Sequence, residues 1–481
     1  MLWKGAGYMI QKVNRSIILS LITFLVGVLS CVQKAEETDN AVRFLFLDER
    51  NILSVQNARL VVGKTKKSKL NPLFEEDRPW EKRFDNLYGN VIYDQQKNLY
   101  RCWYSPFIVD SSAKGMSFEA RQKPYNPPYD REMAICYAFS KDGINWVKPE
   151  MGLVDYNGSK NNNLIWRKPH GAGIFLDPNE KDPRKKYKTI FQGISVSSSP
   201  DGFNWEEEKD IMGVDVAGDT HNNAFWAPTL NKYVGITRSW SEKGEFERGK
   251  RIRQVSRIES ADFLNWTKEE VVLEGENFDD QIYAMPVFFY AGVYIGLPVI
   301  YSRGTDKAWT ELAYSTDTKK WKRISPGVAL IPNSEKVLDY DYGCVYACAN
   351  PVFLKNEIRL YYGASDYLHF GWRNGSLCLA SLRPDGFAGF EQIELETTSR
   401  IKTKLINIEN NNIQVTTDIE DDGWLLVKVY DSNGVKILTS EKIVTTTTDG
   451  LLSFGEKIGI NEIQLEFEFK KAKLYSFSFS D

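Results

Sequence analysis

Ser140-Lys-Asp-Gly-Ile-Asn-Trp146 decides the fold of this chain, because related stretches follow it at intervals of 55 to 66 residues. The pattern is typical of a turn: the aspartate caps its own backbone, the glycine adopts a positive φ, and the tryptophan begins the next strand. Its near-constant spacing indicates an internal repeat in which these Asp and Trp residues are structural. The later copies, increasingly degenerate, are Ser199–Trp205, Ser260–Trp266, Ser315–Trp321 and Ser381–Phe387.

Each repeat has the same order of predicted strands around that turn. Two apolar strands come first, as in 90–93 and 99–104, a third runs into the turn, and a fourth follows it. Four strands per unit of about 60 residues, repeated five times, predict an all-β fold, a five-bladed β-propeller. Beyond it, alternating strands predict a small C-terminal β-sandwich. The predicted segments are a signal peptide at 1–30, a tether with N-terminal strands at 31–80, the propeller at 81–394 and the sandwich at 395–481.

The N-terminus has the pattern of an export signal. Lys12 and Arg15 precede an apolar run over 17–29, which is too short for a comfortable membrane span and is typical of a signal peptide. Ser30 directly before Cys31 resembles a bacterial lipobox, which implies that Cys31 is lipidated and becomes the first residue. Cleavage elsewhere and an uncleaved anchor are the alternatives. We therefore expect an exported lipoprotein of the bacterial outer membrane or periplasm, which contacts the membrane only through its lipid anchor.

The composition excludes several classes of protein. Lys and Arg number 61 against 64 Asp and Glu, so the chain lacks the basic excess of a nucleic-acid binder. Trp, Tyr and Phe make up 13% of the residues, which favours surfaces that stack flat ligands. Of the 6 cysteines, those after Cys31 are odd in number and lack zinc spacing, which argues against a disulfide framework and a zinc site. We expect no cofactor and no catalytic metal, and leave a structural Ca²⁺ open.

Propeller connectivity predicts which polar residues meet at one end of the channel. The segment leading into each first strand and the link from second to third strand open on the same face of the ring. Asp85, Asp219, Asp280 and Asp341 lie in the leading segments, and like charges so crowded are costly unless a cation or substrate uses them. All three histidines fall on this face. The predicted substrate-binding residues are His170, His221, Asn222, Trp240, Asp280, Tyr283, Asp341, His369 and Trp372.

Acids and aromatic rings at one channel mouth suit the cleavage of glycosidic bonds. One carboxyl group protonates the leaving oxygen, while a second attacks the sugar or activates water. Aromatic rings such as those of Trp240, Tyr283 and Trp372 stack on sugar rings. These residues therefore favour a carbohydrate as the binding partner.

The five-blade repeat with an acidic channel mouth and an appended sandwich resembles the five-bladed propeller glycosidases, the group that contains glycoside hydrolase families 32 and 43. The resemblance covers residues 80 to 395 and implies hydrolysis of a poly- or oligosaccharide. It places Asp85, in Phe84-Asp85-Asn86-Leu87-Tyr88-Gly89, as nucleophile or base, and Asp219, in Gly218-Asp219-Thr220, as an orienting residue that modulates pKa. The candidate acid is Glu132, at the start of a third strand, ahead of Glu245 and Glu247.

The sequence thus predicts an exported, lipid-anchored glycoside hydrolase that uses paired carboxylates in the propeller channel. One alternative is a non-catalytic glycan-binding lipoprotein, which would use the same aromatic and polar groups without an acid pair spaced for chemistry. Another is a propeller phosphorylase, which would grip phosphate with arginines of the channel links. Export argues against the phosphorylase because sugar-phosphate metabolism belongs in the cytoplasm. Those arginines are Arg238, Arg251, Arg253 and Arg303.

Overall fold

The computed structural model describes residues 42–84, 86–241 and 251–480, and the regular secondary structure of this part of the chain is almost entirely β-strand. Its helices are short: α1 (Phe118–Arg121) and two 3₁₀ turns, Glu49–Asn51 and Pro183–Lys185. The all-β prediction is confirmed. None of the described helices is long and apolar enough to cross a membrane. The predicted signal peptide, the tether to residue 41, Cys31, Asp85, Glu245 and Glu247 lie outside the described residues.

Five strands precede the repeats, and all of them pair with strands far along the chain. The first three join the C-terminal sheet, while the last two pair with the final repeat. The N-terminal segment therefore ties the repeats to the C-terminal part of the protein. These strands are β1 (Val42–Leu45), β2 (Ile52–Gln56), β3 (Ala58–Val62), β4 (Lys66–Lys67) and β5 (Phe74–Glu75).

The first repeat forms a six-stranded sheet, blade one. Its path runs β10-β9-β7-β6, with antiparallel neighbours, and two further strands pair with β9. The Ser140 turn connects the third and fourth strands of this path, as its sequence predicts. The strands are β6 (Asn90–Asp94), β7 (Leu99–Tyr104), β8 (Phe107–Val109), β9 (Glu132–Ser140), β10 (Trp146–Val147) and β11 (Leu164–Arg167).

The second and third repeats form blades two and three, each a separate sheet of four strands. In both, consecutive strands are hydrogen-bonded neighbours, which is the order expected of a propeller blade. Blade two consists of β12 (Gly173–Leu176), β13 (Tyr187–Phe191), β14 (Ser195–Ser199) and β15 (Lys209–Asp210). Blade three consists of β16 (Asn223–Ala227), β17 (Lys232–Trp240), β18 (Arg253–Ser260) and β19 (Glu270–Glu274).

Blade four is built from strands that are interrupted halfway. Pro286 separates the two halves of its first strand and Pro298 those of its second, because proline has no N–H to continue a ladder. One set of halves, which we call the outer halves, forms a four-stranded sheet with the last strand, in the order β21-β22-β25-β26. The inner halves are β20, β23 and β24. The strands are β20 (Gln281–Ala284), β21 (Val287–Tyr290), β22 (Val293–Gly296), β23 (Val299–Ser302), β24 (Lys307–Thr310), β25 (Ala313–Ser315) and β26 (Trp321–Arg323).

The fifth repeat lies in a nine-stranded sheet with the inner halves of blade four. Its last strand pairs with β4 and β5, so N-terminal residues supply the outer partner of this repeat. The described chain therefore shows four propeller-like blades, and the count of five stays a prediction. The strands of the repeat are β27 (Cys344–Ala347), β28 (Val352–Phe353), β29 (Ile358–Ser365) and β30 (Gly375–Leu382).

The C-terminal strands form a ten-stranded sheet with β1, β2 and β3. Its two longest strands, β34 and β37, run antiparallel, and their alternate side chains, such as Val427 and Phe467, are buried in one hydrophobic cluster. Hydrogen bonds join all ten strands, so the sandwich stays a prediction. The strands are β31 (Ala388–Gln392), β32 (Ser399–Thr403), β33 (Ile406–Asn407), β34 (Asn412–Tyr430), β35 (Lys436–Thr439), β36 (Thr447–Leu451) and β37 (Glu462–Ser480).

The repeated turns have the hydrogen bonds that their sequence predicts. Asp142 Oδ1 accepts the backbone N–H groups of Ile144 and Asn145, both at 2.8 Å, and Gly143 has a φ of 75°. The copies at Asp201, Asp262 and Asp317 repeat this pattern. The motif aspartates are therefore structural, since their oxygens are occupied by the turn itself.

Candidate functional site

Asparagines connect the first strands of neighbouring blades. Asn90 of blade one donates to Ala172 O and accepts from Ile174 N–H of blade two, each at 2.9 Å. Asn223 of blade three accepts from Val287 N–H of blade four at 3.1 Å. These side chains are buried, so the first strands meet in a closely packed polar centre around which the blades are arranged.

Two residues that were predicted to bind substrate, Asn222 and His221, lie in this polar centre and not on an open binding surface. Asn222 is fully buried; its amide donates to Gly171 O and Gly218 O, and its oxygen accepts from the Thr237 hydroxyl. His221 is buried too, with Nε2 3.2 Å from Asn90 Oδ1, and burial lowers its pKa to about 3. The prediction that both bind substrate is not supported, because their polar atoms already connect blades.

Asp219 lies beside this centre and is open to solvent, with 46% of its side chain exposed. Its carboxylate accepts from Arg238 Nη2 at 2.5 Å and lies 3.6 Å from His170 Nε2. The His170 ring packs near the rings of Tyr88 and Phe107. The structure thus brings Asp219 and His170 together, as the sequence predicts.

The two strands that follow Asp219 present arginines and a tryptophan on one face. Trp240 in β17 is the cross-strand partner of Arg253 in β18, and Arg238 lies two residues before Trp240, so all three share that face. The Arg253 guanidinium is 4.8 Å from the Trp240 ring centroid, 4.9 Å from that of Tyr283 and 5.0 Å from that of Tyr301. We call Arg238, Trp240, Arg253, Tyr283 and Tyr301 the arginine–aromatic cluster.

His369 of the fifth repeat completes one side of this cluster. Its ring centroid lies 5.1 Å from that of Tyr283 and 4.9 Å from that of Tyr301. Its backbone N–H donates to Asp306 O, in the link between β23 and β24. The predicted residues Trp240, Tyr283 and His369 therefore do converge, although they come from three different repeats.

Asp306 is the acid that sequence reasoning missed. Its carboxylate accepts the Tyr301 hydroxyl and the Phe370 N–H, both at 2.9 Å, on the side of the cluster formed by His369. Burial raises its pKa above the ordinary value for an aspartate. A signal was present, because Asp306 follows Arg303 in the second-to-third link of blade four, where connectivity places channel residues.

Glu132 does not lie with these acids. Its carboxylate is paired with Arg167, at 2.8 and 2.5 Å. The next residue in β9, Met133, packs with Tyr88 and Phe107, and alternation along a strand turns Glu132 to the opposite face. The choice of Glu132 as catalytic acid is therefore not supported by its position.

Asp280 and Asp341 are also held in ion pairs away from the cluster. Arg323 donates to both oxygens of Asp280, at 2.7 and 3.0 Å. Asp341 is fully buried, 2.5 Å from Lys67 Nζ, and accepts from the Ser334 and Tyr362 hydroxyls. The expected crowding of like charges is thus relieved by one cation for each acid, and these two aspartates serve the fold.

Trp372 lies under a long segment of blade one. Its ring meets the Tyr125 ring edge-on at 5.0 Å, and the Arg83 guanidinium lies 4.1 Å from the Tyr125 centroid. An ion pair of 2.7 Å between Arg121 and Asp366 fastens the same segment to the fifth repeat. The predicted sugar-stacking face of Trp372 is therefore partly taken by Tyr125.

The residues that flank Asp85 belong to the same polar region. The Phe84 N–H donates to the buried carboxyl of Glu76, and Asn86 Nδ2 donates to the Tyr88 hydroxyl at 2.8 Å. Asn86 Oδ1 accepts from Arg373 Nη2 at 3.2 Å. Across the described ranges, no group of three or more His, Cys, Asp or Glu side chains is arranged to hold a metal ion.

Comparison with known proteins finds no matching family model and no matching curated protein. Among solved structures, the chain is similar to glycoside hydrolases of propeller fold. A glycosyl hydrolase from Bacteroides ovatus is 13% identical, with a TM-score of 0.43, over 66% of this chain and 93% of that one. A fructofuranosidase from Schwanniomyces occidentalis, complexed with fructosylnystose, is 10% identical, with a TM-score of 0.42, over 89% and 98%.

A family 43 arabinoxylan arabinofuranohydrolase from Bacillus subtilis, in complex with cellotetraose, is 12% identical, with a TM-score of 0.40, over 86% of this chain and 97% of that one. These enzymes belong to the group that the sequence resembles. At such identities and TM-scores the likeness carries no argument about substrate or mechanism.

Proposed function

We propose that this protein is a glycoside hydrolase whose site is the arginine–aromatic cluster with its two flanking acids. The observation that carries the proposal is the contrast between those acids. Asp219 is a solvent-exposed carboxylate paired with Arg238, whereas Asp306 is half-buried, accepts from the Tyr301 hydroxyl and the Phe370 N–H, and has a raised pKa. Glycosidic cleavage needs one carboxyl group that holds a proton and another that does not.

In this proposal Asp306 replaces Glu132 as the acid that protonates the leaving oxygen. Burial favours the protonated form of Asp306, which is the form that can donate. Asp85 keeps its proposed role as nucleophile or base, supported by its neighbour Asn86, which donates to the Tyr88 hydroxyl and accepts from Arg373. Asp219 orients the substrate together with His170.

Trp240 supplies a surface for the sugar. It is half-buried, with Arg238 and Arg253 against its ring, at 5.1 and 4.8 Å. An indole held in this way offers an apolar face for the C–H groups of a pyranose or furanose ring. His369 and Tyr283 form the adjoining wall.

A fifth blade, a C-terminal sandwich and a lipid anchor complete the proposed organisation of the protein. We infer that β27 to β30, closed by β4 and β5, form the fifth blade and that the C-terminal strands fold into a sandwich. The N-terminal pattern supports export and lipidation at Cys31, in the outer membrane or periplasm of a bacterium. Globomycin-sensitive processing and labelling with a radioactive fatty acid, both lost in Cys31→Ala, would test the anchor.

Turnover of a panel of plant, algal and host polysaccharides by the purified protein tests the enzyme. We expect sugar release that falls by about 10²- to 10⁴-fold in Asp85→Asn and in Asp306→Asn, with binding retained. Glu132→Gln is the matched control and should keep its activity, because Glu132 faces Arg167 outside the cluster. Equal loss in Glu132→Gln would reinstate the acid that the sequence favoured.

The second candidate is a glycan-binding lipoprotein without catalysis. It is favoured by one observation: Glu132, the predicted acid, and Asp280 and Asp341, two predicted substrate-binding aspartates, are all held in ion pairs. Carboxylates held in this way suit a site that performs no acid–base chemistry. Binding without release by the wild-type protein, unaltered in Asp85→Asn and Asp306→Asn, would support this candidate over the hydrolase.

A further inference from the structure

Arg253 is a buried cation whose charge is not balanced by a neighbouring carboxylate among the described residues. Its side chain contacts Trp240, Tyr283 and Tyr301, and its one polar partner in these ranges is Gln281 Oε1, 2.8 Å from Nη1. Burial lowers its pKa, and the like charge of Arg238 lowers it further. A buried guanidinium in such surroundings is unfavourable unless an anion joins it.

Three other buried arginines of the described chain show the usual solution, a nearby carboxylate. Arg257 is 2.6 Å from Glu259, Arg121 is 2.7 Å from Asp366, and Arg101 is 3.6 Å from Asp94. Each of these has a carboxylate within ion-pair distance. Arg253 departs from them, and it does so in the arginine–aromatic cluster, where a ligand is proposed to bind.

Several guanidinium donors in this cluster have no acceptor among the described residues. Arg253 Nε and Arg238 Nε and Nη1 are shielded from solvent and have no acceptor among the described residues. Arg253 Nη2 also has no acceptor there, and it is not among the solvent-shielded atoms, so it is the donor that a ligand can reach first. Guanidinium groups bind planar or tetrahedral oxyanions through two parallel hydrogen bonds.

We infer that Arg253, with Trp240 beside it, binds an oxyanion next to the sugar ring. The chemistry is that of a carboxylate, a sulfate ester or a phosphate. Two sources can supply it: an acidic sugar unit of the substrate, such as a uronic acid or a sulfated sugar, or free inorganic phosphate. The inference rests on the proposed function, because it names the substrate class of the same site.

Matched pairs of oligosaccharides test the acidic-sugar source. Oligogalacturonides are compared with their methyl esters, and sulfated oligosaccharides with their desulfated forms, by calorimetric titration of the purified protein. We expect at least one acidic form to bind about 10- to 100-fold more tightly than its neutral partner, a preference lost in Arg253→Gln and reduced in Arg253→Lys. Arg184→Gln, at an exposed arginine of blade two, is the control and should keep the preference.

Thermal unfolding separates ligand binding from a structural role. An arginine that stabilises the fold would lower the melting temperature when it is replaced. We expect Arg253→Gln to melt at or above the wild-type temperature, because it removes a buried charge without a counter-ion and its amide can still meet Gln281. A large fall in melting temperature, or an unchanged preference for acidic oligosaccharides in Arg253→Gln, would overturn the inference.

Inorganic phosphate is tested in a parallel arm. Phosphate that binds the wild type but not Arg253→Gln, with sugar 1-phosphates as products in ³¹P NMR, would assign the oxyanion to free phosphate. In that reaction a phosphate oxygen bonds to the anomeric carbon as the glycosidic C–O bond breaks, and Asp306 gives its proton to the leaving oxygen. If neither acidic sugars nor phosphate binds through Arg253, the inference is overturned, even if neutral glycans are hydrolysed. Binding that depends on Arg253 but is not followed by turnover would overturn the proposed hydrolase function and leave the oxyanion-binding inference intact.

Discussion

The aspartates of the repeated turns and those of the central site carry the same side chain in opposite circumstances. Asp262, in a repeated turn, accepts the backbone N–H groups of Leu264 and Asn265. The hydrogen bond from the Asn265 N–H contributes most to lowering the pKa of Asp262 below its ordinary value. Asp306 in the central site accepts a tyrosine hydroxyl and an N–H from another repeat, and burial raises its pKa. An aspartate whose partners are close in the chain therefore stabilises its own turn. The pKa of an aspartate whose partners come from another repeat depends instead on how the repeats pack together.

Replacing one aspartate in each region should give the largest difference in activity between the two regions. We predict that Asp306→Asn lowers sugar release by about 10²- to 10⁴-fold with little change in stability, because it removes the proton donor. Asp142→Asn, in the turn of blade one, should leave the activity of the folded protein unchanged. The measurement is kcat on the substrate identified by the panel, with circular dichroism to confirm folding.

The pH profile of the wild type adds a second test of Asp306. Its protonated form is the active one, so activity should fall as pH rises through the raised pKa of this group. A variant Asp306→Asn with wild-type activity and an unchanged alkaline limb would show that another group is the acid.

The degenerate fifth copy of the turn offers the largest expected change in stability. Asp385 is fully buried and accepts from Arg43 at 2.5 Å and from the Tyr290 and Ser476 hydroxyls, so it connects the fifth repeat to blade four and the C-terminal sheet. We predict that Asp385→Ala costs about 3–5 kcal/mol, because it leaves part of a buried ion pair unmatched. Urea unfolding measures the free energy, and Asp385→Asn should fall between wild type and Asp385→Ala.

An intact turn should lose less when its aspartate is removed. We predict that Asp142→Ala costs about 1–2 kcal/mol, comparable to the loss of a capping residue. Despite partial burial, hydrogen bonds from Asn145 and Ile144 hold the pKa of Asp142 below its ordinary value. The stability that it contributes is therefore present above the ordinary pKa of about 4 and is lost as pH falls through the lower folded value.

The control for this turn is Lys141→Ala, an exposed neighbour in the same loop. Urea unfolding at pH 7 and at pH 3 should show a difference between wild type and Asp142→Ala that narrows in acid. A cost in Lys141→Ala equal to that in Asp142→Ala would mean that the loop sequence in general, and not the aspartate, stabilises the turn.

The sequence predicts the turns and most strands well because their partners are close in the chain. Ser140, Asp142 and Asn145 bond one another within six residues, so the motif itself contains the structure. The ring also constrains which segments face the centre, and this constraint predicts that Asp219, His170 and His369 lie at one end of the blades. Connectivity places a residue at an end of a blade, but it does not give the direction of its side chain.

That missing direction explains why the predicted site residues do not all lie in the arginine–aromatic cluster. Glu132 and Met133 are adjacent, and only the observed strand shows that Met133 packs inward and Glu132 outward. The partners of Asp280 and Asp341, Arg323 and Lys67, lie 43 and 274 residues away in the chain, with no local pattern to reveal them. Asp306 was missed for the same reason, since its raised pKa depends on burial by a distant repeat.

Glu76 combines both kinds of surroundings and gives the smallest expected effect. One of its oxygens accepts two backbone N–H groups, from Phe84 and from Gly375 at 2.9 Å, much as a turn aspartate does, yet burial raises its pKa to about 8. The folded protein therefore binds this proton more tightly than the unfolded chain does. Its contribution to stability is fully present below the ordinary pKa of about 4.5 and is lost as pH rises through about 8.

We predict that Glu76→Gln, whose amide oxygen can accept the same two N–H groups, leaves the melting temperature unchanged at pH 5 and raises it at pH 9. Scanning calorimetry at both values makes the measurement, with the exposed Glu75→Gln as control. A lower melting temperature in Glu76→Gln at pH 9 would mean that the charged carboxylate, and not the neutral acid, holds Phe84. In that case the two backbone hydrogen bonds would affect the pKa of Glu76 more than its burial does. The number of backbone N–H donors alone would then distinguish the turn aspartates from the acids of the central site.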